Sequence, residues 1–151
     1  MPLFTDVPDP IIATLTDLAR TSLARSIMGE ISFKLSGFAV GRDGYSGVNP
    51  VKIIAINPSL TGLLDQFFPL TGQKSLELIE NPQPPTVVAN CRLASTEGVS
   101  ALGEIGLWAE IINSTVSLGE VGTKFLFAVG HFPIQTKTLR QAIVYRFIIQ
   151  F

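Results

Sequence analysis

Apolar and polar residues alternate with a period of two through most of the chain, and with a helical period near its start. Ile31, Phe33 and Leu35 alternate with Ser32, Lys34 and Ser36, the pattern of a half-buried strand. Gly37 breaks that phase and Phe38 and Val40 take over, which marks a bulge or bend. VKIIAINP resumes as a short strand that stops at Pro58. In TVVANCRLA, Val87, Ala89, Cys91 and Leu93 share one face. In EIGLWAEI, Ile105, Leu107, Ala109 and Ile111 share a face and Trp108 takes the other, which predicts cover on both sides. KFLFAVGHF and AIVYRFIIQF complete the set, the latter placing Ile143, Tyr145, Phe147, Ile149 and Phe151 together. INSTVSLGEVGT, between two of these runs, reads as a polar, glycine-rich interruption.

The helical stretch comes first in the chain. Ile11, Ile12, Leu15, Leu18, Ala19 and Ile27 recur at helical spacing, with Thr14, Asp17, Arg20 and Arg25 elsewhere on the circumference. Asp9 is a strong N-cap, Pro10 suits the first helical position, and Gly29 suits the left-handed position that ends a helix. A helix of about five turns is predicted. Residues 1–8 read as an extended lead whose Leu3 and Phe4 are expected to dock on a neighbour or on the domain itself. GRDGYSGVNP (41–50) reads as loop, and 59–85 as an irregular insertion. Within it, LTGLLDQFFP predicts a short helical turn carrying Leu63, Leu64, Phe67 and Phe68 inward, and residues 81–85 a stiff extended connector.

These elements predict one α+β domain over residues 1–151. One N-terminal helix is packed on a mainly antiparallel sheet or small β-sandwich. The helix is expected to bury Ile11, Leu15, Leu18 and Ile27 against Phe33, Leu35, Ile105, Leu107, Phe125, Phe127, Tyr145 and Phe147.

Composition shifts the picture toward assembly. Of 151 residues, 46% are hydrophobic and only 15% charged, against a usual quarter. No apolar run reaches the ~18 residues of a spanning helix, so no membrane partner is expected. The shortage of charge points instead to surface covered by other subunits, or to self-association. A net charge of −1 with dispersed Arg20, Arg25, Lys34, Arg42 and Lys52 offers no attraction to phosphate backbones, so no nucleic-acid partner is expected. The single cysteine, Cys91, is expected in the core, and excludes an internal disulfide and a cysteine-based zinc site. The start lacks a basic region followed by an apolar core, so no secretion signal is expected.

Candidate chemistry is sparse. The glycines of GRDGYSG lack the Lys-Ser/Thr ending and following helix of a phosphate loop. His131 is the only histidine and is tied by no motif to a nucleophile or an acid. Glu104 and Glu110 lie about 20 Å apart along one strand at ~3.4 Å per residue, too far to act on one bond. A buried Glu104 held by Arg92, Lys137 or Arg146 would be structural or interfacial. No catalytic residue, cofactor site or metal site is expected. Leu3, Phe4, Arg42, Tyr45, Trp108 and His131 are the interface candidates.

The opening LARTSLARSI, the FAVGRDGY transition, EIGLWAE, FLFAVGHFPIQTKT and the closing hydrophobic strand occur in one order. In that order they resemble the N-terminal, virion-attaching domain of phage tail-collar fibre proteins and related baseplate components. Residues 59–85 do not align with that pattern, and no repetitive fibre shaft follows Phe151. The resemblance therefore implies the attachment module without its fibre. That is a structural virion protein, a small baseplate or tail adaptor that anchors tail fibres or joins larger tail proteins. Its partners would be other tail or baseplate proteins and the fibre, assembled in the host cytoplasm. A different expectation is a stand-alone ligand-binding β-domain, with a pocket between helix and sheet lined by Phe67, Phe68 and Trp108.

Overall fold

The period-two runs become the long strands of two sheets. The structure, a computed structural model, describes residues 4–46, 52–83 and 86–150. The strands are β1 (Phe4–Asp6), β2 (Ile11–Ile12), β3 (Thr14–Leu15), β4 (Ile31–Gly41), β5 (Tyr45–Ser46), β6 (Lys52–Ile53), β7 (Gln66–Phe68), β8 (Lys74–Ser75), β9 (Leu78–Gln83), β10 (Thr86–Leu93), β11 (Ala101–Ser114), β12 (Lys124–Thr136) and β13 (Gln141–Gln150). One α-helix, α1 (Asp17–Ile27), and one 3₁₀ turn (Leu118–Glu120) interrupt them. The first sheet has the order β1-β13-β10-β9, with β2 also on β13. The second runs β3-β12-β11-β4-β7, with β8 also on β4, and β5 and β6 form a separate two-stranded ribbon.

The two large sheets face each other. Ala89, Cys91, Leu93, Ile143, Tyr145, Phe147 and Ile149 from the first pack against Phe38, Val40, Leu102, Ile105, Leu107, Ala109, Phe127 and Phe132 from the second. The rings of Phe132 and Tyr145 lie 5.2 Å apart across this interface. A second apolar cluster lies on the opposite face of β11 and β12. There Trp108, Ala39, Leu126 and Val129 are covered by Ile56, Leu60 and Leu63. Every residue from Leu102 to Ala109 is consequently buried.

The α+β expectation is overturned. Strands dominate, and the only α-helix among the described residues has 11 residues and does not form a layer. It begins at Asp17, with Thr16 rather than Asp9 as its N-cap. Thr16 Oγ1 accepts from the Ala19 N–H at 3.1 Å and donates to the Leu126 carbonyl at 2.6 Å. Asp9 has no such tertiary partner among the described residues to fix it as a cap. The segment ahead of Thr16 is drawn into strands because two sheet edges offer it main-chain partners. β1 and β2 run parallel to β13, and β3 runs antiparallel to β12. Ala13 N–H donates to Ile148 on one sheet at 2.8 Å, and Thr16 N–H to Phe127 on the other at 3.1 Å. Residues 4–15 thus form a strap across one open side of the sandwich. Segment 74–78 crosses the other side: Ser75 pairs with Gly37 of β4, and Glu77 N–H donates to Asn90 of β10.

With the helix starting late, its buried face is Ala19 and Ser22, with Leu23 packed on the core. Ile11 and Leu15 reach the core from strands, while Leu18 and Ile27 are exposed. The expected stop holds. Gly29 has φ +76°, Gly29 N–H donates to Ser26 and Glu30 N–H to Arg25, a Schellman ending. The helical turn expected in LTGLLDQFFP is instead strand β7 on β4, and Leu64 is exposed. Within the connector, residues 81–83 continue β9, and 84–85 lie outside the described residues.

Candidate functional site

β11 and β12 place Glu104 opposite His131, and β4 places Gly41 on the other side of Glu104. Glu104 is fully buried. Its Oε1 accepts from the Leu64 N–H at 2.8 Å, and its Oε2 from the N–H groups of Asp65 at 2.9 Å and Asp43 at 3.1 Å. None of the three cations considered for it, Arg92, Lys137 and Arg146, takes part. Backbone amides satisfy the carboxylate, as charge-assisted bonds can. A Cβ at Gly41 would stand 2.6 Å from the Glu104 side chain, so only glycine lets the carboxylate reach both loops. The arrangement pins residues 43 and 64–65 onto the outer face of the second sheet. It offers no reacting group an open approach.

Three of the six interface candidates gather around this lock. Arg42 forks onto Asp65 at 3.1 and 3.3 Å and lies 4.9 Å over the Phe67 ring. Tyr45 packs its ring against Gly103. His131 bonds through Nδ1 to the Ile54 carbonyl at 2.7 Å, so Nδ1 carries the hydrogen, and Nε2 is enclosed with no partner among the described residues. Trp108 sits elsewhere and is 6% exposed, committed to the cluster beneath Leu60 and Leu63. Phe4 lies on β1, 56% exposed, and Leu3 lies outside the described residues. The pocket imagined between Phe67, Phe68 and Trp108 is not formed. The two phenylalanines pack toward the core between the sheets, and the tryptophan lies on the outer face.

Two other groups bear on chemistry. Cys91 is completely buried, and burial pushes its thiol well above the ordinary range, so it is no nucleophile. Lys137, 1% exposed, donates to the Ser95 carbonyl at 3.0 Å, and burial lowers its pKa. Nearby, Glu97 pairs with Lys74 and accepts from the Ala94 N–H at 2.8 Å. Burial raises the Glu97 pKa, but the bonds from Lys74 and Ala94 outweigh it and the net shift is downward. A carboxylate held below its ordinary value contributes stability above that value and loses it as pH falls through the lowered one. Lys74→Met is therefore expected to flatten the acid arm of the stability curve. Urea midpoints at neutral and acidic pH check this, and equal acid loss in both proteins would refute it. No group of three or more His, Cys, Asp or Glu suited to a metal occurs among the described residues, and no described helix is long and apolar enough to cross a membrane.

The feature the sequence pattern missed is at the far end of α1. Thr115 N–H donates to the Glu30 carbonyl at 2.8 Å, tying the loop after β11 to the helix ending. Arg25 bridges Glu30 at 3.0 Å and Glu120 at 2.8 Å, and Ser114 donates to Glu120 at 2.7 Å. Bonds from Arg25 and Ser114 hold the Glu120 carboxyl below its usual range. Around this frame Ile27, Met28, Ile112, Val116, Leu118 and Val121 are exposed, Ile27 at 87% and Leu118 at 85%. Glu120 is the only charged residue from 112 to 123, and it shares Arg25 with Glu30, so the triad keeps one net negative charge. The result is an apolar pole on a fixed, ion-paired frame. Its signal was present as Val116, Leu118 and Val121 in a turn segment, where exposure rather than burial is the rule. Comparison of the chain with protein-family models, with curated proteins and with solved structures finds no match.

Proposed function

We propose that this chain is a structural assembly subunit without catalytic activity: a small tail or baseplate adaptor of a tailed phage that anchors fibres or joins larger tail proteins. Its partners are other tail or baseplate proteins and the fibre, and its place is the virion. The phage assignment draws on the sequence resemblance. The observation that carries the assembly role is the exposed apolar pole at Ile27, Met28, Val116 and Leu118, held in shape by Arg25, Glu30 and Glu120. A surface of that kind marks an interaction site, and side chains on a fixed frame lose little freedom when a partner covers them.

The isolated protein is expected to self-associate through this pole, and Leu118→Asp to restore a monomer, read by light scattering on a sizing column. A wild-type chain that stays monomeric at high concentration would count against the pole. Antibody to the purified chain, applied to tailed particles from its source, is expected to decorate the tail end. Unlabelled tails would overturn the phage assignment.

A further inference from the structure

The second sheet is incomplete along β4. One side of β4 pairs with β11 along its length. The other side pairs with β8 at Gly37 and Phe38 and with β7 at Val40 and Gly41. From Ile31 to Ser36 that side has no main-chain partner among the described residues. Six residues at ~3.4 Å each leave about 20 Å of strand edge, where alternate residues present N–H and C=O groups outward without a protein partner among the described residues. Beside this edge a cleft of about 240 Å³ opens between the sheets, lined by Leu23, Phe33, Leu35, Ile79, Val87, Phe127 and Ile149 with Lys34 at its mouth. Its far wall is β9, the outermost strand of the first sheet among the described residues.

We infer that this slot receives an extended segment of another protein, which adds a strand to β4 and drops alternate apolar side chains into the cleft. The pairing requirement selects the occupant. Edge groups at strand spacing need an amide partner at the same spacing, which a lipid or small apolar molecule does not carry. Phe33 and Leu35 point to the cleft and Ser32, Lys34 and Ser36 alternate with them, so a matching strand must alternate too. Lys34, the one charge on this edge, favours an acidic or neutral residue opposite it. The row already begun by β7 and β8 fixes where the added strand lies. The inference stands on the edge and the cleft, apart from the phage reading and the pole.

The test is hydrogen exchange of the full chain with an acetylated, amidated octapeptide of alternating threonine and valine, since main-chain bonds supply most of the affinity in this mode. Saturating peptide is expected to slow exchange at 31–36. Ile79→Asp, at a position 47% exposed on the cleft wall, is expected to weaken binding at least tenfold with an unchanged circular dichroism spectrum. Three results would overturn the inference. One is no protection at peptide saturation, and another is protection confined to residues 112–121. The third is protection at 31–36 that is complete in the free monomer or rises with protein concentration, which would assign the row to the chain itself or to a second copy.

Discussion

Glu104→Ala is expected to lower stability by about 3 kcal/mol or more, because hydrogen bonds to a charged group contribute ~1.5–3 kcal/mol each and three amides lose their acceptor together. For a chain of this size that is a fall in Tm of roughly 6–12 °C. Glu104→Gln should recover less than half of the loss. Both carboxylate oxygens accept, and the amide nitrogen of glutamine would face an N–H with another N–H. The damage should also be local before it is global. Asp43, Leu64 and Asp65 lose their anchor to the outer face, Trp108 loses the cover of Leu60 and Leu63, and limited proteolysis should cut at 52–65 first. Thermal melts of both variants with mapping of the first cleavage check this. A fully stable Glu104→Ala protein would mean that the lock is incidental.

Removal of the strap, residues 4–15, is expected to have the larger effect. Ile11 contacts Phe147 and the backbone at Gly130, and burying a side chain of its size is worth ~1.5–3 kcal/mol. The main-chain bonds to Arg140 and Ile148, with the pairings of β1 and β2 on β13 and of β3 on β12, add about 0.5–1.5 kcal/mol for each bond. Together these approach the ~5–15 kcal/mol that separates a folded domain from its unfolded chain. The shortened protein should therefore be recovered unfolded or aggregated, with the edges of β12 and β13 bared. A cooperative unfolding transition in the shortened chain would refute the strap's role.

Both expectations rest on contacts distant in sequence, which is also why the sequence showed some features and hid others. The faces of β10, β11 and β13 were legible because alternation is local: Cys91, Ile105, Leu107, Tyr145 and Phe147 lie in the core as their phase requires. The stop at Gly29 was legible because a left-handed residue is dictated by backbone sterics. The helix start was not. Asp9-Pro10 is a sound local signal, but Thr16 is fixed by a carbonyl 110 residues away, and two vacant sheet edges outbid helix propensity for Ile11 and Ile12. The partners of Glu104 were hidden because backbone amides carry no residue identity. The pole was hidden because nothing in VSLGEVGT says that its frame is held by Arg25 from another element.

The parallel neighbourhood of β1 and β13 has a mechanical consequence. Tension applied between Phe4 and Gln150 pulls two adjacent strands past one another along their length, so the rungs from Phe4–Gln141 to Asp6–Ile143, with Ile11–Phe147 and Ile12–Ile148 behind them, bear the load simultaneously. A hairpin pulled from its open end would surrender its rungs singly. Loaded in shear, this pair of strands parts only when several rungs break together.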